Sequence, residues 1–281
     1  MCALIERARP GQFVEEVTPL VITYDEAPNI ERTLTKLRWA RRIVVVDSGS
    51  TDGTLDIVSR FAQAEVLHRP FDGFAAQCNF GLEQIRTDWV LSLDADYELS
   101  EALVRELSEL RPSADVAGYR ARFVYRVRGR PLRGSLYPPR TVLYRARAAR
   151  YADEGHGHRV SVDGDVRSLK GIIYHDDRKP LARWFSAQQR YAKLEALHLR
   201  QSTPGRLSRS DRIRRTAWPA PFLVFAYVLV VKGCLLDGWP GWYYALQRLL
   251  AEVLLNLELI DQKLACIAEA KPARRKVEAG S

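Results

Sequence analysis

An α/β fold with a mostly parallel central sheet, followed by a C-terminal helical hairpin, is the architecture the sequence predicts. From Leu20 to Leu93, short β-branched apolar runs alternate with amphipathic stretches, which is the sequence form of successive βαβ units. Beyond residue 201 this alternation gives way to two apolar helical segments separated by the turn formers Asp237-Gly238-Trp239-Pro240-Gly241. The chain has 281 residues, 47% hydrophobic and 27% charged, ordinary globular usage that excludes a fibrous, low-complexity or multi-span membrane protein.

Four strands are expected in the first part: Leu20 to Thr23, Ile43 to Val46, Glu65 to Leu67 and Trp89 to Leu93. Each is mostly apolar, as parallel strands buried on both faces should be. Between the first two, Pro28 suits a first helical position, and Ile30, Leu34 and Leu37 recur at helical spacing. The loop Asp47-Ser48-Gly49-Ser50-Thr51-Asp52-Gly53-Thr54 leads into Leu55, Val58 and Phe61, again at helical spacing. Leu99-Ser100-Glu101 reads as a helix start. Tyr119 to Arg150 is a run of short strands and loops with ten arginines between Arg120 and Arg150. Val166 to Tyr174 reads as a strand and Leu181 to Leu199 as a helix, after which the globular part is expected to end near Gln201.

Arg206, Arg209, Arg212, Arg214 and Arg215 then precede a ten-residue apolar run, Phe222 to Val231. A bilayer span takes about 20 residues, so an interfacial hairpin is expected instead, its basic residues suited to anionic headgroups. The plain alternative is a hairpin packed on protein. The tail from residue 266 is polar towards its end.

A formal charge of +9 favours anionic partners. No zinc-finger, recognition-helix or aromatic-interleaved basic pattern accompanies it, so nucleic acid is not expected as a partner. Cys2, Cys78, Cys234 and Cys266 lie far apart, which fits a reducing compartment better than a disulfide framework. Met1 to Val17 interleaves charges with apolar residues and gives no signal-peptide core. A cytoplasmic location, peripheral on the inner membrane, is the expectation.

The sharpest chemical feature is Asp94-Ala95-Asp96 at the end of a buried strand. Two like charges there are costly unless a cation neutralises them, and Mg²⁺ or Mn²⁺ fits, with water and a diphosphate completing its shell. A solvated acidic turn or helix cap is the bland alternative. Thr23-Tyr24-Asp25-Glu26-Ala27-Pro28-Asn29 and the Asp47 to Thr54 loop end the first two strands, so three polar loops share one sheet edge, where open α/β sheets bind ligands.

These motifs resemble those of the inverting GT-A glycosyltransferases of family two, with Asp25 where asparagine is usual. Gly73 to Gly81, Tyr151 to His156, Ile173-Tyr174-His175, Arg190-Tyr191-Ala192 and Lys232 to Gly238 are similar to the lipopolysaccharide-core glucosyltransferase branch. The resemblance implies the GT-A fold, with residues 18–201 as the catalytic domain, 202–265 as a basic and amphipathic helical appendage and 266–281 as a polar tail.

It also implies roles. Thr23, Glu26 and Asp47 would hold uracil and ribose of a nucleotide-sugar donor, Asp94 and Asp96 would contact ribose and a Mg or Mn divalent cation, and His175 would complete the metal shell. Asp47 and Asp52 have a second reading as loop residues that cap the following helix. Arg140 stands out among the arginines as a phosphate clamp. The general base is expected at Glu154, or else Asp153, because Gly157 stands where the branch carries the glutamate of a V-H-E motif. His156 or His158 is a less favoured substitute. The implied acceptor is a hydroxyl of a cell-envelope glycan or glycolipid. Polyprenyl phosphate is the alternative acceptor, and a noncatalytic nucleic-acid- or membrane-binding protein the reading from another class.

Overall fold

The computed structural model describes residues 12–154, 157–203, 205, 208–216 and 218–278. The chain divides into two compact units at Lys179/Pro180.

The first unit is built on a nine-stranded sheet. Strands β1 (Val17–Thr23), β2 (Ile43–Asp47), β3 (Ala64–His68) and β4 (Trp89–Asp94) lie in the order β3-β2-β1-β4, all parallel. Between them run helices α2 (Ile30–Thr35), α3 (Thr54–Val58) and α4 (Phe74–Glu83), after a short α1 (Gln12–Glu15). The register pairs Thr23 with Asp47 and Ile22 with Asp94, so three strand ends reach the same edge.

Beyond β4 the sheet is mixed. Strands β5 (Tyr97–Leu99), β6 (Val116–Val127), β7 (Arg130–Pro131), β8 (Arg140–Arg145) and β11 (Asp165–His175) continue it in the order β8-β6-β11-β5, with β7 on β6. The pair β6/β11 is parallel and the rest antiparallel. Helix α5 (Glu101–Glu109) follows β5, capped by the Ser100 side chain on the Leu103 N–H. Strands β9 (Ala149–Glu154) and β10 (Gly157–Val162) make a separate hairpin.

Alternation along each strand explains why β1, β2 and β4 are mostly apolar, while the edge strand β3 exposes Glu65 and His68. Val21, Val45 and Leu91 belong to the core on one face, and Leu20, Val44, Val46 and Val90 to the core on the other. Helix α4 approaches the second face closely: a Cβ on Gly81 would collide with the Leu20 side chain.

The second unit contains α6 (Leu181–Gln201), α7 (Arg209–Arg215), α8 (Ala220–Ala226) running into a π-helical turn (Tyr227–Val231), a 3-10 turn (Cys234–Asp237) and α9 (Trp239–Glu278). Both α6 and α8 pack on α9, with Ala196, Leu199, Leu255 and Leu259 in one buried cluster. The sequence puts α6 with the catalytic domain; its contacts put it with the helices. Among the described residues no helix is long and apolar enough to cross a membrane. Cys78 and Cys234 are buried.

Candidate active site

The loops after β1 and β2 interlock. Asp25 donates its N–H to Ser50 Oγ at 2.8 Å and accepts from the Thr51 N–H at 2.7 Å, while the Glu26 N–H reaches Thr54 Oγ1 at 2.7 Å. Asp25 has φ 50°, the left-handed region that Asn and Asp tolerate best. An aspartate is therefore suited to this turn. Asp52 accepts from the Ala27 and Thr54 N–H groups, both at 3.2 Å, joining the two loops at the start of α3.

Asp47 is fully buried and turned on its own loop, where it accepts from the Gly49 N–H at 2.9 Å, the Ser50 N–H at 3.0 Å and Ser50 Oγ at 2.5 Å. His68 Nδ1 stands 3.4 Å away. In the structure this carboxylate shapes the loop that borders the site. Thr23, by contrast, is buried with its Oγ1 lacking a hydrogen-bond partner among the described residues. Such a group at a strand end is costly unless a ligand satisfies it.

Asp94 ends β4 and Asp96 occupies the turn to β5, held by Thr33 Oγ1 donating to the Ala95 carbonyl at 2.7 Å. Asp96 Oδ2 lies 3.2 Å from His175 Nε2, at the end of β11. Burial alone would push the Asp96 carboxyl up, yet His175 and Lys179 outweigh it and hold it well below the ordinary carboxylate range. Conversely, burial pulls His175 down, but Asp96, with Asp94 and Asp177, raises it above its ordinary value. Its ring is enclosed by Tyr97, Tyr125 and Tyr137, with centroids 4.9 to 5.2 Å away. His175 Nδ1 is buried without a partner among the described residues.

Arg140 starts β8 with its guanidinium 4.6 Å from the centroid of the Tyr137 ring. Burial opposes its charge, and the Asp94 carboxylate favours it. Of the ten arginines in its stretch, it is a cation that the fold brings beside Asp94.

Lys179, Asp177 and Asn29 were not singled out from the sequence. Lys179 Nζ lies 2.5 Å from Glu26 Oε1, 3.1 Å from Asp177 Oδ1 and 4.0 Å from Asp96 Oδ2. Asn29 Nδ2 donates to Glu26 Oε2 at 2.7 Å and to Asp177 Oδ1 at 3.2 Å. The signal was the charged run Asp176-Asp177-Arg178-Lys179 directly after His175, too short a stretch to distinguish from a solvated turn. Burial, and next the Asp96 charge, push the Glu26 carboxyl up to about 7 despite Lys179 and Asn29.

Of the two expected base residues, Asp153 is committed to α4: its Oδ1 accepts the Ala75 N–H at 3.1 Å. Asn79 pins the same strand by exchanging hydrogen bonds with the Tyr151 backbone at 2.9 and 3.0 Å. The backbone of Glu154 ends β9; its side chain, that of His158 and all of His156 lie outside the described residues.

Asp96 and His175 are an oxygen and a nitrogen donor close enough to share one hard divalent ion. Among the described residues no three His, Cys, Asp or Glu side chains gather to hold a metal.

The sequence model described as Glycosyl transferase family 2 matches residues 20–161. The lipopolysaccharide core biosynthesis glycosyltransferase LpsC of Rhizobium meliloti (strain 1021) is 34% identical over 109 residues, covering 37% of this chain and 40% of that protein. An uncharacterized glycosyltransferase of Rickettsia bellii (strain RML369-C) is 32% identical over 147 residues, 50% of each chain. The chain thus spans half or less of the length of these two relatives. A solved structure, S. aureus TarS 1-349 in complex with UDP-GlcNAc, aligns with a TM-score of 0.45 at 14% identity, over 88% of this chain and 92% of that one.

Proposed function

The chain belongs to glycosyl transferase family 2, and from that premise we propose that it is a glycosyltransferase of the GT-A fold that moves a sugar, with inversion, from a UDP-sugar to a hydroxyl of a cell-envelope glycan such as lipopolysaccharide core or a lipid-linked oligosaccharide. The observation that carries the reading is the convergence of Thr23, Glu26, Asp94 and Asp96 at one sheet edge, with His175 and Arg140 brought to the same end by β11 and β8. The match to LpsC supports the class of acceptor.

Thr23 Oγ1 and the Glu26 carboxylate meet the uracil and ribose, groups that offer N–H and O–H donors. Asp96 and His175 would hold a Mg²⁺ or Mn²⁺ ion, and Asp94 would contact the ribose. When bound, the ion offsets charge that develops on the departing nucleotide. Arg140 adds a fixed cation for the phosphates. Glu154 takes the proton of the acceptor hydroxyl as its oxygen bonds to the anomeric carbon and the bond to UDP breaks. The enzyme works in the cytoplasm at the inner membrane face.

Calorimetry with UDP, with and without Mn²⁺, is the direct test. Metal-dependent binding that Asp96→Asn and His175→Ala each weaken at least about tenfold is expected. Binding that ignores both the metal and the two substitutions would overturn the metal site. Transfer of labelled sugar to polyprenyl phosphate but not to core oligosaccharide would overturn the acceptor.

A further inference from the structure

From Asp211 to Trp239 the chain carries four cations, Arg212, Arg214, Arg215 and Lys232, against two carboxylates, Asp211 and Asp237, and Arg214 is paired with Glu252 and Asp211. Helix α8 and the π-helical turn after it are apolar on every side. Their inner face, Pro221, Val228 and Leu229, is buried, with Phe225 against Trp242 of α9 at 6.1 Å between ring centroids. The outer stripe is also apolar yet lies open, stepping by four residues through Phe222, Ala226 and Val230 and through Leu223, Tyr227 and Val231. A helix hydrophobic all round is ordinarily covered on both sides.

The concentration of exposure is local. Among the described large hydrophobic residues, six are at least 67% exposed, Trp218, Phe222, Val230, Val231, Leu236 and Trp239, and all lie in this one hairpin tip. Lys232 sits at its end with Nζ 5.6 Å from the Tyr227 ring centroid, and Arg212 is exposed on α7. Tryptophan and tyrosine flanking an aliphatic stripe, with cations at its ends, match the two layers of a lipid interface: acyl chains for the stripe, headgroups for the rings and charges. The stretch Ala220 to Val231 is about 18 Å long, short of the roughly 30 Å hydrocarbon core, so it would lie in the plane of the membrane.

We propose that the tip formed by α8, the π-helical turn and the start of α9 is a monotopic docking surface for anionic phospholipid bilayers, with Phe222, Val230, Val231 and Trp239 entering the acyl boundary and Arg212 and Lys232 meeting the phosphates. The surplus of cations, Arg212, Arg215 and Lys232 against Asp237, selects an anionic lipid over a second copy of the chain, which would bring its own basic surplus against this one. The proposal rests on the reading of an enzyme working at a membrane face and gives that reading a surface.

Flotation of the full chain with vesicles tests it. The protein should float with phosphatidylcholine vesicles containing phosphatidylglycerol, much less with phosphatidylcholine alone, and lose binding in about 0.5 M salt. The variants Val230→Ser/Val231→Ser and Arg212→Glu/Lys232→Glu should each weaken binding about tenfold or more while keeping the thermal melt, since all four side chains lie at the surface. UDP binding, measured in parallel, should be untouched, so loss of docking and failure of the donor site are told apart. No flotation with anionic vesicles overturns the proposal. So does a dimer in light scattering that Val230→Ser/Val231→Ser dissolves while flotation stays the same.

Discussion

Lys179 Nζ lies 2.5 Å from Glu26 Oε1, joining two residues 153 positions apart at the edge of the sheet. The ammonium also faces Asp177 and Asp96, so it neutralises a set of carboxylates that burial would otherwise make repulsive. Lys179→Met should destabilise the first unit by about 3 kcal/mol, the cost of leaving buried charge uncompensated. The double variant Lys179→Met/Glu26→Gln should recover part of that loss, because one of the stranded charges is gone. Chemical denaturation of the four species in a double-mutant cycle measures both; additivity would disprove the coupling.

The pH dependence of stability follows from the same cluster. The Glu26 carboxyl, pushed up to about 7 by burial and by Asp96 against Lys179, binds its proton more tightly folded than unfolded. Its favourable contribution is full below the ordinary 4.5 and is lost as pH rises through about 7. His175, raised above the ordinary 6.5 by Asp96 against burial, acts in the same direction and loses its contribution as pH rises through its raised value. Asp96, held low, loses its contribution only as pH falls well below 3.8, outside this window. The melting temperature of the ligand-free protein should fall by several degrees between about pH 6 and pH 8. In Glu26→Gln the slope should flatten, and a profile with the same slope would show that Glu26 does not titrate there.

The donor half of the fold was legible because β1, β2 and β4 are buried on both faces and the edge strand β3 keeps an apolar centre at Val66-Leu67. The strands expected over Leu20 to Thr23, Ile43 to Val46, Glu65 to Leu67 and Trp89 to Leu93 all lie within β1 to β4. Strand β5 went unseen, since Tyr97–Leu99 is three residues long and merges into the Ser100 helix cap. The Asp94 and Asp96 positions were readable from spacing. Lys179 was not, because what makes a lysine a buried counter-ion is a partner supplied from the other end of the unit. The loop-shaping roles of Asp47 and Asp52 were both foreseen as alternatives, but only hydrogen bonds within about 3.3 Å separate a carboxylate that shapes a loop from one free to meet a ligand.

Packing of α4 on the sheet sets a second, independent expectation. Replacing Gly81 by alanine adds helix propensity worth about 1 kcal/mol, but its Cβ would enter the space of Leu20, which is fully buried in β1. Overpacking of that kind costs about 1 to 3 kcal/mol, so Gly81→Ala should be destabilising overall. Leu20→Val in the same background should restore part of the loss; thermal melts of the single and double variants decide it.

The last expectation separates two neighbouring carboxylates. Asp153 accepts the Ala75 N–H at 3.1 Å at the start of α4, and a Cβ on Gly73 would lie 3.3 Å from its Oδ2. Its visible work is to cap a helix, so Asp153→Ala should lower stability by about 1 kcal/mol, while Asp153→Asn, which keeps the acceptor oxygen, should change turnover little. Glu154, one residue on, is assigned the proton of the acceptor hydroxyl. Glu154→Gln should leave the melt alone and reduce kcat by about 100-fold or more, with UDP binding intact, because a lost general base removes transition-state stabilisation and not donor affinity. The variants make the assignment sharp: a helix cap moves the melt, a base moves kcat. Full turnover in both Asp153→Asn and Glu154→Gln would put the base on another residue, and a kcat loss in Asp153→Asn but not Glu154→Gln would move it to Asp153.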